Sequence, residues 1–192
     1  MIASMLTLDS KAIHRYKIHD AYAVHRVVYD LFPATTRRFL YYHYPEDSSH
    51  GMRILILSEE QPLVPHEGSI ESKLIQASFL EYQTYAFKVR LNPVVRTRDG
   101  ARSIRRSEEL IEWFAKKQTG WGFHADLSRL ELSNLGVEEI KGKEDLMVFN
   151  ECTFTGVLQV IDRSQFIKSF YEGMGRGKAF GFGLLQLQPI YE

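Results

Sequence analysis

Leu146-Met-Val-Phe-Asn-Glu-Cys-Thr-Phe-Thr-Gly-Val-Leu-Gln-Val160, followed by Ile161-Asp162-Arg-Ser-Gln165-Phe-Ile-Lys-Ser-Phe-Tyr171-Glu-Gly173, decides the fold. The stretch from Leu146 to Val160 is dense in β-branched and aromatic side chains, which suit a pleated, half-buried surface, and predicts one strand. Asp162 then predicts a helix from Gln165 to Tyr171, because its carboxylate can accept from the free amides of a first helical turn. A glycine loop runs from Gly173 to Gly183, and Leu184 to Ile190 reads as a closing strand. Strand, helix and strand in this order form half of a split βαβ unit.

Upstream, Ser107 with Glu108 and Glu109 opens a helix reaching about Gln118, its acids suited to the positive end of the helix dipole. Leu127 to Ile140 reads as a strand that turns into the long one through Lys141 to Asp145. Nearer the N-terminus, Met5 to Leu8, Phe39 to Tyr44, Met52 to Leu57 and Ile70 to Ile75 read as strands, with a turn at Pro45 to Gly51. Phe79 to Val95 reads as a strand with a boundary near Asn92-Pro93. His19 to Phe32 predicts a helix stopped by Pro33. At 100° per residue Ala21, Val24, Val28, Leu31 and Phe32 share one face, with Ile18, Tyr22, His25 and Tyr29 along its border. A second helix in this half would sit at Val64 to Ser72. The order predicts an α+β chain of two tandem ferredoxin-like (βαββαβ) domains with antiparallel sheets, residues 1–90 and 91–192.

The 192 residues include 24 Lys plus Arg, 24 Asp plus Glu and 13 Gly, with 44% hydrophobic residues. That composition excludes disorder as the main state and excludes fibrous repeats. No apolar run exceeds four residues, as at Ile54 to Leu57, far short of the roughly 18 residues of a membrane span. Met1 to Ser10 lacks the features of a secretory signal, and Cys152 is the one cysteine. A cytoplasmic protein without disulfide or thiolate metal cluster is expected.

Zero net charge conceals an uneven distribution. Lys88, Arg90, Arg96, Arg98, Arg102, Arg105 and Arg106 face one acid, Asp99, between Ala86 and Arg106. That density is the footprint of a polyanion site, or else a solvated loop. The Gly173–Gly183 segment adds Arg176 and Lys178 among glycines whose amides could cradle phosphate. It fails the P-loop pattern, since Glu172 stands where Gly is required and Ala179 follows the lysine. It fails the dinucleotide fingerprint too, because Lys178 occupies a glycine position. Those failures count against a nucleotide-using enzyme and leave a plain turn as the alternative. Tyr22 and His25 are neighbours at i and i+3 on a helix, and His titrates near neutrality at about 6.5. A single His on such a border is more often a packing residue. The seven histidines contain no HExxH and no i,i+4 pair, so neither metal nor other cofactor is expected. No G-x-S-x-G elbow is present, and Cys152 sits in an apolar stretch as a buried thiol would.

Three segments together resemble the CasE endoribonucleases of type I-E CRISPR systems, in the RAMP superfamily. They are Tyr22-Ala-Val-His25-Arg-Val-Val-Tyr-Asp-Leu-Phe-Pro33, Phe87-Lys-Val-Arg-Leu-Asn-Pro93 with the basic segment after it, and the glycine loop. In that loop Gly173, Gly175, Gly181 and Gly183 keep the family spacing and Lys178 the family lysine, with Gly177 an extra glycine. The segment from His43 to Gln76 carries little of the likeness. The resemblance implies tandem ferredoxin-like domains and metal-independent cutting of the CRISPR repeat transcript at the base of its hairpin. It implies a 2′,3′-cyclic phosphate and a 5′-hydroxyl as product ends. It also implies retention of the hairpin within Cascade, beside other Cascade subunits. Tyr22, His25 and Lys178 would be catalytic: His25 as general base or acid, Tyr22 orienting it or holding phosphate, Lys178 stabilising the phosphorane. Arg96, Arg98, Arg102, Arg105, Arg106 and Arg176, with Gly173, Gly175, Gly181 and Gly183, would hold the RNA. The alternative is a non-catalytic RNA-hairpin-binding subunit of a ribonucleoprotein.

Overall fold

A computed structural model describes residues 1–32, 38–44, 51–98, 100–141 and 146–191, with only the main chain described at Arg96, Thr97 and Ala101. The first sheet contains β1 (Ile2–Leu8), β2 (Phe39–His43), β3 (Met52–Ser58) and β4 (Ser69–Leu74). Their order is β2-β3-β1-β4, and every pairing is antiparallel. After β5 (Thr84–Leu91) the chain forms a separate two-stranded hairpin, β6 (Val94–Thr97) and β7 (Gly100–Ser103), and the second sheet joins β5 to β8 (Phe123–Ala125), β9 (Glu131–Lys141), β10 (Leu146–Val160) and β11 (Gln186–Pro189). Its order is β11-β5-β10-β8, with β9 also on β10. Each sheet therefore has the strand order of a ferredoxin-like unit. In the second, the outer strand is split into β8 and β9 by the one-turn 3-10 helix Leu127–Arg129. The sheets change over between Leu74 and Thr84.

Helices α1 (Ser10–Tyr16) and α2 (Ala21–Asp30) cover one face of the first sheet. Asp9 and Asp20 cap them by accepting from Ala12 N and Ala23 N. α1 is absent from the sequence reading: its seven residues, SKAIHRY, bury only Ala12, too small an apolar stripe to show as periodicity. The segment suggested for a second helix, Val64 to Ser72, is instead irregular chain leading into β4, and the helical turn falls later, at Ala77–Leu80. Pro33, 45–50, Asp99 and 142–145, which carry expected stops and turns, lie outside the described residues.

Helices α3 (Ser107–Gln118) and α4 (Arg163–Glu172) cover the second sheet. Leu110, Trp113 and Phe114 of α3 and Phe166 and Phe170 of α4 are buried, at the three- and four-residue spacing of an amphipathic face. Aromatic rings fill this core, with Phe114 stacked 4.6 Å from Phe154 and Phe166 lying 5.4 Å from Tyr85. Burying each such ring contributes about 1.5–3 kcal/mol. Asp162 caps α4 as expected, accepting from Gln165 N at 3.0 Å. Arg106 holds the N-cap of α3 without a side-chain bond, so Ser107 is the first helical residue rather than the cap. Cys152 is fully buried, and burial pushes its thiol up to about 12, so it is inert packing.

The two units meet along β2. Phe39 and Tyr41 pack toward α2, while Leu40 and Tyr42 join the second core. A strand buried on both faces needs an unbroken apolar and aromatic run, and Phe39-Leu-Tyr-Tyr42 supplies it.

Candidate active site

The seam between the units is closed by the glycine loop. Its neck is fixed by Met174 N donating to Gly183 O and Gly183 N donating to Arg90 O, both at 2.8 Å. Gly183 has a φ of +83°, and a Cβ there would lie 2.2 Å from the carbonyl of Met174. Only glycine allows that approach. The tip is a single 3-10 turn, Lys178–Phe180, closed by Phe180 N donating to Gly177 O at 2.8 Å. The amides of Met174 and Phe180 are thus spent inside the loop, and that of Gly183 on β5. Phe180 and Phe182 pack with Ile140, Phe149 and Tyr22, wedging the loop between α2 and the β9–β10 hairpin. The glycines expected to expose amides serve first as packing points. Gly173 lies against Leu40, Gly181 against the Tyr41 ring, and Gly175 is exposed.

That wedge brings Ala179 to α2. His25 Nδ1 lies 2.7 Å from Ala179 O. A carbonyl oxygen only accepts, so Nδ1 carries the proton, and Nε2, on the far side of the ring, holds the lone pair of the neutral imidazole. The ring is half-buried, packed 4.1 Å from Tyr29 and 5.0 Å from Phe180, with Tyr22 at 5.9 Å. Tyr22 and His25 are therefore brought together as the helix spacing predicts, and Arg26 lies over the Tyr22 ring at 5.9 Å. Tyr41 also donates to Ala179 O, at 2.9 Å. Lys178 is next in the chain to that carbonyl, but its ammonium donates to Glu172 O at 2.6 Å. It faces a cavity of about 250 Å³ shared with Arg38, Phe39, Glu59 and Tyr171. Tyr41, Phe180 and Arg38 escaped the sequence reading. The aromatic run around Tyr41 signals a strand, and its spacing from residue 179 carries no local signal.

The basic segment forms the β6–β7 hairpin. Its base is held by Asn150 N donating to Asn92 Oδ1, by Asn150 Nδ2 donating to Ser103 Oγ, and by Trp113 Nε1 donating to Val94 O. Arg98, Arg102, Arg105 and Arg106 are exposed, and Arg102 pairs with Glu109 at 3.1 Å. The side chain of Arg96 lies outside the described residues, and Arg176 is exposed on the glycine loop. Arg90 corrects the charge count. It is 4% exposed, paired with Glu138 at 2.7 Å and Glu151 at 2.8 Å, and stacked on Phe182. Its charge belongs to the interior and adds nothing to a surface footprint.

Beside it, His43 and Arg90 line a cavity of about 410 Å³ with Tyr42, Asn134, Glu138 and Glu151. Burial, aided by the Arg90 charge, pushes His43 down to about 4. Burial also raises Glu138, against the pull of Arg90 and with the help of Glu151. Among the described residues no three His, Cys, Asp or Glu side chains gather as a metal ion would require. No helix of the described residues is long and apolar enough to cross a membrane.

Two ferredoxin-like units with a histidine held in their seam by a glycine loop define a tandem ferredoxin-like protein. The chain belongs to the CRISPR-associated protein family, whose model matches residues 1–189. It is similar to the CRISPR system Cascade subunit CasE of Escherichia coli strain K12, 24% identical over 204 residues that cover 95% of this chain and 99% of that one. Among solved structures it is similar to CRISPR endoribonuclease Cse3 bound to a 19-nucleotide RNA, with a TM-score of 0.83 at 21% identity over 98% of this chain and 100% of that one. It is also similar to Cas6e of E. coli strain K-12, with a TM-score of 0.76 at 20% identity over 99% of this chain and 100% of that one.

Proposed function

We propose that this chain is a metal-independent endoribonuclease that cuts the CRISPR repeat transcript at the base of its hairpin and stays on the product as a cytoplasmic Cascade subunit. The observation that carries the proposal is the His25–Ala179 hydrogen bond, which sets one imidazole nitrogen for proton transfer at the seam. The matched family, the Cascade subunit CasE and the RNA-bound Cse3 supply the substrate class.

RNA carries its own nucleophile. The 2′-oxygen attacks the adjacent phosphorus, a 2′-O–P bond forms and the P–O5′ bond breaks. The 2′-hydroxyl proton leaves and the 5′-oxygen gains one, so no water is consumed. The ends are a 2′,3′-cyclic phosphate and a 5′-hydroxyl. His25 Nε2 exchanges the proton with one of these oxygens, a role worth on the order of 10²–10⁴-fold. Tyr22 orients His25 or holds the scissile phosphate. Lys178 stabilises the phosphorane, which requires its ammonium to leave Glu172 O. Arg96, Arg98, Arg102, Arg105 and Arg106 track one strand of the A-form stem, and Arg176 and the glycine loop approach its base.

End-labelled repeat hairpin in excess EDTA, with wild type beside His25→Ala and binding measured in parallel, tests this. One cut by wild type and equal binding without cutting by the variant are expected. The engagement of Lys178 with Glu172 favours a second reading, a non-catalytic hairpin holder. Binding by both proteins with cutting by neither, with or without Mg²⁺, would establish that instead.

A further inference from the structure

We infer that Tyr41 is a positioning residue for His25, acting through the main-chain carbonyl of Ala179; the inference deepens the proposed endoribonuclease reading and rests on it for its kinetic part. Three distances define the device. His25 Nδ1 lies 2.7 Å from Ala179 O, Tyr41 Oη lies 2.9 Å from the same oxygen, and a Cβ on Gly181 would come within 3.2 Å of the Tyr41 ring. A carbonyl oxygen has two lone pairs, and both donors can be served at once.

The two donors come from different elements of the first unit, α2 and β2, and the acceptor from the far end of the chain. The Ala179 carbonyl sits in a one-turn 3-10 helix, and so short a helix is ordered by its neighbours rather than by its own hydrogen bonds. Tyr41 is well placed to order it. Its side chain is wholly buried in the first core, and its strand is paired to β3, so the hydroxyl is a fixed point. Holding the carbonyl there holds His25 in its Nδ1–H form and leaves Nε2 as the nitrogen that exchanges the proton. A histidine without that acceptor distributes its proton over both nitrogens and rotates more freely, and both losses lower the fraction poised to react. Lys178 precedes Ala179, so the same anchor fixes the loop from which that ammonium reaches substrate.

A purely packing role for Tyr41 makes a different prediction. Tyr41→Phe keeps the ring and removes only the hydroxyl, so packing alone would leave the histidine unchanged. The expected signature has three parts. Nitrogen-15 NMR of the His25 ring shows one neutral tautomer, protonated at Nδ1, in wild type and a mixture in Tyr41→Phe. Single-turnover cleavage of the repeat hairpin at saturating protein falls on the order of tenfold. Hairpin affinity stays within twofold. Gly181→Ala, which presses a methyl onto the Tyr41 ring from the loop side, gives the same tautomer mixture in the RNA-free protein and serves for that readout if Tyr41→Phe does not fold.

An unchanged single tautomer in a folded variant overturns the inference, whatever the kinetics. An unchanged cleavage rate beside a mixed tautomer overturns its catalytic part. If wild type binds hairpin but does not cut it, the endoribonuclease reading fails, and the NMR result still decides whether Tyr41 sets His25.

Discussion

Acid should unfold this protein partly through His43. The residue ends β2, its Nδ1 is buried without a hydrogen-bond partner, and burial with the nearby Arg90 charge takes it from the ordinary 6.5 to about 4. The folded state therefore keeps His43 neutral while the unfolded chain takes up a proton. Above pH 6.5 neither state binds that proton and the contribution to stability is complete. Between pH 6.5 and 4 only the unfolded state binds it, and stability falls by about 1.4 kcal/mol per pH unit, approaching 3 kcal/mol in all. The other histidines and the carboxylates add slopes of their own, so the test is a difference. Urea unfolding followed by the fluorescence of Trp113 and Trp121, extrapolated linearly to water, is measured for wild type and His43→Gln from pH 4.5 to 8. The variant lacks the His43 titration, so the stability difference between the two proteins should move in its favour by about 2–3 kcal/mol as pH falls from 7 to 4.5. A difference that stays flat over that range would refute the reasoning, because it would mean His43 is solvated or protonated in the folded state.

Arg90→Met should cost about 3–5 kcal/mol at pH 7.5, since it strands Glu138 and Glu151 in the interior, and the loss should shrink at pH 5; urea midpoints at both pH values check it. Gly183→Ala places a methyl within 2.2 Å of the Met174 carbonyl and should open the loop neck, seen as loss of the slowly exchanging Met174 and Gly183 amides in hydrogen exchange. Arg102→Ala with Arg105→Ala should weaken hairpin binding and lower the slope of log K against log salt by about 0.7–0.9 per lost phosphate contact. Thermal stability should barely change, because both side chains are exposed and the Arg102–Glu109 pair is a surface one.

The sequence determined what depends on neighbours within a turn or a pleat. Leu146 to Val160 is a strand because β-branched and aromatic residues fill it, and Asp162 starts α4 because a carboxylate one residue ahead of a helix finds free amides. The Tyr22–His25 neighbourhood follows from 3.6 residues per turn alone. Even the tandem order of the two units was legible, because each strand run and helix carries its own period. Short α1 and the split of β8 from β9 were not, since seven and three residues hold too little pattern.

Tertiary structure decided the rest, and the physical reason is distance along the chain. Arg90 reads as a surface cation until Glu138 and Glu151 arrive from β9 and β10 to neutralise it. The glycine loop reads as an amide cradle until the amides of Met174, Phe180 and Gly183 are seen bonded to the carbonyls of Gly183, Gly177 and Arg90, while its Ala179 carbonyl meets His25 of α2. His25 reads as one more helix-border histidine until an acceptor 154 residues away selects its tautomer. A proton's position on an imidazole is set by what the ring touches, and no local spacing encodes a contact that only the closed seam between two sheets creates.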